Sequence, residues 1–165
     1  MPVLPAPINL REPPRHVFTV HAKVFGDALP IRGGWGYALD EAVIIDMEDE
    51  IVAEGLPFDG VGVEYAFVEK RIYAEMVLFR SPGEGFAGID KRLLVQNLIS
   101  EGARYYDLLQ FEIKAFSERD WGILKSSGNL LPEEYYRREA EMIVRFRRDF
   151  WFEITSFYGK QRCLG

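Results

Sequence analysis

The chain is poor in the residues that thiol chemistry and zinc centres need. It has one cysteine, Cys163, and two histidines, His16 and His21, among 165 residues. A single thiol excludes an internal disulfide and favours a reducing compartment. The two histidines are five positions apart on a predicted strand, so they face opposite sides of it and cannot share a zinc ion. We therefore expect neither zinc chemistry nor a histidine-based catalytic triad.

Long apolar runs are also absent from the sequence. No stretch approaches the roughly 20 apolar residues of a membrane-spanning helix. The first 16 residues lack the basic and then apolar pattern of a secretory leader. The net charge of −6 repels phosphate backbones, which disfavours nucleic acid as the main partner. These features predict a soluble, acidic, cytoplasmic protein with no membrane partner.

What is present indicates a packed globular chain. Hydrophobic residues make up 48% of the sequence and aromatic residues 14%, which favours a large core or a subunit contact. Residues 1–14 contain five prolines, and proline cannot donate a backbone hydrogen bond. We predict a proline-rich N-terminal arm over 1–14, followed by a single α+β domain over 15–165.

Hydrophobic periodicity predicts a mostly antiparallel sheet of three to five strands, with a long C-terminal helix packed on one face. Alternation of apolar and polar residues predicts strands over 16–25, 37–45 and 105–116. Helical spacing predicts helices over 90–101 and 133–157. Residues 63–79 favour a helix, with a long strand left open as the alternative.

The stretch Gly33-Gly34-Trp35-Gly36 is the first candidate for a binding site. It lacks the lysine and hydroxyl of a phosphate-binding P-loop and does not open a predicted helix. We interpret its glycines as a turn or bulge that begins a strand. Trp35 and Tyr37 then alternate onto one face, where we predict that they bind a partner.

An acidic run with no lysine or arginine is the second candidate. It extends from Asp40 to Glu54, and Asp46 follows the apolar residues Val43–Ile45. A carboxylate at the end of an apolar strand is a common magnesium ligand. Asp46 and Glu48 are therefore the predicted metal pair, and a solvated acidic loop is the alternative. The calcium-binding EF-hand spacing is not met.

The third candidate is Glu112 and Lys114, which project from one face of the strand predicted over 105–116. A Glu-x-Lys pair on a strand, preceded by an acid, resembles the PD-(D/E)xK nucleases. In that superfamily the carboxylates bind Mg²⁺ and the lysine orients or activates water. Three residues do not establish membership, and alternating charges on the solvated face of a sheet are the alternative.

Two functions are consistent with these patterns. The first is a non-catalytic binding or assembly protein that acts as a homo-oligomer without a cofactor, its protein or small-molecule ligand being left open. The second is a phosphodiesterase or nuclease that depends on a divalent metal such as Mg²⁺. It would use Glu112 and Lys114 with further carboxylates, for which the candidates are Asp46, Glu48, Asp90 and Asp107.

Overall fold

The structure is a computed structural model that describes residues 2–160, so Cys163 lies outside the described residues. It is a mixed α/β fold with one five-stranded sheet and several helices. In chain order the elements are α1 (Pro14–Val20), α2 (Ala22–Phe25), β1 (Ile31–Gly33), β2 (Val43–Ile45), α3 (Gly60–Tyr73), β3 (Phe86–Glu101), β4 (Arg104–Ser117), α4 (Glu118–Lys125), α5 (Pro132–Met142) and β5 (Val144–Glu153). Within residues 2–160, no helix has both the length and the apolar character needed to cross a bilayer.

The strand order in the sheet is β1-β2-β5-β4-β3. β1 and β2 are antiparallel, with Ile31 opposite Ile45. β2 and β5 are parallel, with Val43 opposite Phe152. The predicted combination of sheet and helices is therefore confirmed. The parallel pair departs from the predicted antiparallel arrangement because β5 returns to the middle of the sheet from far along the chain.

The described residues group into two compact units, and strands β3, β4 and β5 contribute to both. The first unit contains residues 2–8, 72–94 and 111–148, and the second contains residues 9–71, 95–110 and 149–160. Fully buried aromatic and aliphatic side chains form the core of each unit. They include Phe111, Ile113 and Leu124 in the first, and Phe67, Val43 and Phe152 in the second. A single domain over 15–165 stays a prediction.

Two sequence predictions of secondary structure are confirmed. The strand predicted over 105–116 is β4, and its side chains Leu109, Phe111 and Ile113 are buried as the alternation requires. The helix favoured over 63–79 is α3, which continues into a π-helical segment at Ala74–Leu78.

The strand predicted over 16–25 is wrong, because α1 and α2 occupy this stretch. The same residues also fit a helical period, since Val17, Phe18 and Phe25 fall on one buried face. Val20 and Val24, which the predicted strand would have buried, are exposed. Pro14 begins α1, as proline does at the first position of many helices.

The strand predicted over 37–45 is much shorter than expected. β2 covers only Val43–Ile45, and a loop connects it to β1. Gly33 has φ of +85°, and a Cβ at this position would lie 2.8 Å from the carbonyl oxygen of Ala42. The glycine therefore allows the chain to turn closely beside its partner strand. The interpretation of the glycines as a turn is confirmed, but they lie at and after the end of β1, and the next strand begins only at Val43.

The helix predicted over 90–101 is wrong, because these residues belong to β3. Asp90 and Gly102 have the composition of helix caps, but only Gly102 and Ala103 separate β3 from β4, its neighbour in the sheet. A two-residue connection of this kind is typical of a β-hairpin. Pairing along β4 therefore outweighs the local helix signals.

The single helix predicted over 133–157 is wrong in its second half. Helix α5 ends at Met142, and β5 follows from Val144 to Glu153. The seven-residue spacing from Tyr136 to Phe150 suggested a helical stripe, but Tyr136 is exposed. Val144, Phe150 and Phe152 are buried at even positions, which is the two-residue period of a strand.

Candidate functional site

Glu112 and Lys114 form ion pairs on one face of the sheet. A carboxylate oxygen of Glu112 lies 3.4 Å from the guanidinium of Arg92 and 3.6 Å from that of Arg145. The ammonium of Lys114 lies 3.9 Å from the carboxylate of Asp90. This is the ladder of opposite charges that neighbouring strands form on a solvated face.

Asp107 does not join Glu112 and Lys114. It is an odd-numbered residue of β4, so its side chain points to the buried face with Leu109, whereas Glu112 and Lys114 point to the other face. The predicted carboxylate cluster is therefore divided between the two faces of the strand. Among residues 2–160, no group of three or more histidine, cysteine, aspartate or glutamate side chains is placed to hold a metal ion.

Asp46 and Glu48 lie in the loop that follows β2. The carboxylate of Asp46 accepts a hydrogen bond of 2.9 Å from the backbone N–H of Glu48, which stabilises a local turn. The neighbouring Asp49 is ion-paired with Arg15, and this hydrogen bond lowers the pKa of Asp49. The structure places the carboxylate of Asp46 in a turn and that of Asp49 in an ion pair, and the metal pair Asp46 and Glu48 stays a prediction.

Trp35 and Tyr37 contact the chain's own N-terminal arm. The indole N–H of Trp35 donates a hydrogen bond of 2.6 Å to the carbonyl oxygen of Glu12. The hydroxyl of Tyr37 accepts a bond of 3.1 Å from the backbone N–H of Leu10. Trp35 is buried against Phe18. These two rings therefore anchor the arm, and their binding of a separate partner stays a prediction.

A buried pair of carboxyl groups, Glu64 on α3 and Asp107 on β4, was missed from the sequence. Their side chains are 1% and 8% exposed. Neither oxygen of Glu64 has a hydrogen-bond partner of normal geometry among the described residues. The pKa of Glu64 is raised to about 10, first by burial and then by the contact with Asp107 and its negative charge. Glu64 is therefore uncharged at neutral pH.

Arg71 is the second buried ionisable residue on α3, seven residues beyond Glu64, which puts both on the same helix face. Its guanidinium donates hydrogen bonds of 2.8 Å and 3.3 Å to the carbonyl oxygens of Asp149 and Trp35. The guanidinium carbon lies 4.4 Å from the ring centroid of Tyr37 and 4.1 Å from that of Phe150. Arg71 therefore ties α3 to β5 and to the loop that holds Trp35.

β3 is the long edge strand of the sheet. It covers 16 residues at one end of the strand order, so one of its backbone edges has no neighbouring strand within residues 2–160. Residues 93–100, which we call the uncharged β3 segment, read LLVQNLIS and hold no charge, proline or glycine. In this segment Val95 is 41% exposed and Leu98 is 51% exposed.

Natural edge strands are normally shortened, charged or interrupted by proline, because open backbone groups pair with other chains. β1, the other edge strand, follows this rule, since it is only three residues long. The uncharged β3 segment has none of these protections in its sequence. The β3 edge therefore lacks the usual protections against pairing with another strand.

Comparison with known proteins adds no assignment. No protein-family model, curated protein or solved structure matches the chain. Two features of the described chain are unusual. The carboxyl groups of Glu64 and Asp107 are buried together, and the β3 edge is exposed to solvent.

Proposed function

We propose that this chain is a non-catalytic assembly protein that acts as a homo-oligomer in the cytoplasm. The observation that supports the proposal is the long β3 edge with its uncharged, partly exposed segment. Such an edge binds an extended strand through main-chain hydrogen bonds, and no cofactor is needed. The single cysteine suits a reducing compartment.

The self-association of the purified chain tests this function. We expect light scattering after size-exclusion chromatography to give a mass of at least two chains, rising with protein concentration, because the contact of one strand edge is small. The measurement covers low micromolar to near-millimolar protein. A mass of 19.0 kDa at every concentration would contradict the proposal.

The alternative function, a Mg²⁺-dependent phosphodiesterase or nuclease, is tested through Glu112. Arg92 and Arg145 already neutralise this carboxylate, and Lys114 is paired with Asp90. We therefore expect isothermal titration with Mg²⁺ to show no binding that depends on Glu112. Binding that is lost in Glu112→Gln but kept in the exposed control variant Glu133→Gln would favour the enzyme instead.

A further inference from the structure

We propose that two copies of the chain pair through β3, strand against strand and antiparallel, so that their two sheets join into one. This inference rests on the proposed function, because it names the surface through which the homo-oligomer forms. It is carried by the order of the residues along β3 and by the position of this strand in the sheet.

The charges that flank the uncharged β3 segment fit a second copy of the same strand. Lys91 and Arg92 precede the segment, and Glu101 follows it. In an antiparallel pair centred on the segment, the basic end of each copy lies beside Glu101 of the second copy. A parallel pair would instead place Lys91 and Arg92 beside their own equivalents, which is repulsive. The two-fold arrangement makes the favourable contact twice.

Asp90 is the one acid at the basic end of the strand. Its carboxylate lies 3.9 Å from the ammonium of Lys114, which offsets its negative charge. In an antiparallel pair centred on Gln96, Lys91 lies directly opposite Glu101 of the second copy, so Lys91 is the residue for testing this contact.

The apolar residues fit the same overlap. Leu93 and Leu94 lie at one end of the uncharged β3 segment, and Leu98 and Ile99 lie at the other. Antiparallel pairing brings the first pair of one copy beside the second pair of the other. Contact across the strands would cover Leu98, which is half exposed in the single chain. The edge then gains both hydrogen bonds and apolar contacts.

The arrangement closes at two copies. A two-fold contact occupies the uncharged β3 segment of both chains, and the opposite edge, β1, has three residues only. The described part of the chain therefore offers no second long edge for growth into a filament. The expected species is a dimer.

A lysine placed in the uncharged β3 segment tests the contact surface. We expect Leu98→Lys to weaken dimerisation by roughly tenfold or more, because the pairing would desolvate the new charge among apolar side chains of the second copy. Val61→Lys is the matched control, since Val61 on α3 is 52% exposed and Leu98 is 51% exposed. Light scattering measures the mass of each variant over a dilution series, and far-ultraviolet circular dichroism verifies the fold.

A charge exchange tests the antiparallel sense. We expect Glu101→Lys to weaken the dimer, since the new lysine lies opposite Lys91 of the second copy. The double variant Lys91→Glu with Glu101→Lys should recover most of the lost affinity. Neither a loss of folding nor a nonspecific surface effect would produce this recovery.

The outcomes separate this inference from the proposed function. If the wild-type chain is a dimer and both Leu98→Lys and Glu101→Lys remain equally dimeric, pairing through β3 is overturned while assembly itself stands. A dimer that Leu98→Lys dissociates but that the charge exchange does not restore overturns the antiparallel register. If the wild-type chain is a monomer at all concentrations, both proposals fail.

Discussion

Replacing Glu64 with glutamine is expected to stabilise the fold by about 2 kcal/mol at pH 7. Glu64 is uncharged in the folded chain because its pKa is raised from 4.5 to about 10, chiefly by burial. In the unfolded chain it is ionised at this pH, so folding must take up a proton, at a cost of about 3 kcal/mol. Glutamine is uncharged in both states, so this cost disappears. Burying the glutamine amide without hydrogen-bond partners offsets part of the stabilisation.

The sign of the pH dependence follows from the raised pKa. Below pH 4.5 Glu64 is protonated in both states, so the wild-type chain pays nothing for folding there. Above that pH only the unfolded state loses the proton, and stability falls by about 1.4 kcal/mol per pH unit until the folded pKa is reached. The advantage of Glu64→Gln should therefore grow from pH 5 to pH 9.

Urea denaturation of both proteins across this pH range measures the effect. Glu133→Gln is the control, because Glu133 is exposed at the start of α5 and should leave the pH slope unchanged. A constant difference between Glu64→Gln and the wild-type chain at all pH values would show that Glu64 does not bind a proton on folding.

Replacing Arg71 with alanine is expected to destabilise the fold by about 3 to 5 kcal/mol. The change leaves a cavity between the rings of Tyr37 and Phe150. It also removes the donor for two carbonyl oxygens, those of Trp35 and Asp149. Buried acceptors that lose their donors carry the full cost of desolvation.

Arg71→Lys separates charge from shape at this position. Lysine keeps the positive charge but lacks the planar group that stacks between two rings while donating to two carbonyls. We expect it to recover less than half of the stability lost in Arg71→Ala, as measured by the urea midpoint. Arg92→Ala, at an exposed position on β3, should change the free energy of unfolding by well under 1 kcal/mol. Equal midpoints for Arg71→Ala and Arg92→Ala would contradict the structural role of Arg71.

The acidic residues Glu64 and Asp107 could have been noticed in the sequence, although their contact with each other could not. Glu64 falls four residues before Val68 and eight before Ile72, which belong to the apolar stripe predicted for this helix. Asp107 has the same parity as Leu109 on a strand whose odd positions are apolar. A charge on each apolar face was therefore visible. Their meeting depends on how α3 packs on the sheet, which periodicity does not encode.

Two of the wrong secondary-structure predictions share one physical cause. Residues 16–25 and 90–101 fit both a two-residue and a helical period, and local signals such as a capping aspartate then favoured the wrong choice for the second stretch. Partner strands decide such cases, because β3 exists through its pairing with β4. The strand prediction for residues 105–116 was correct, because twelve residues of alternation leave no equally good helical face. The exposed β3 edge could not be predicted from the sequence for the same reason, since the strand order decides which strand lies at an edge.

The position of β5 in the sheet has a consequence for synthesis of the chain. β5 lies in the middle of the sheet, although it is the last strand along the sequence. While a ribosome is still making the chain, β2 and β4 have emerged but lack the strand that separates them. Their open edges then await residues 144–153, and contacts this distant in sequence form slowly. We therefore expect nascent chains that end before residue 144 to bind chaperones and to be cut readily by proteases. Once β5 has left the ribosome, chaperone binding and protease sensitivity should both be lost.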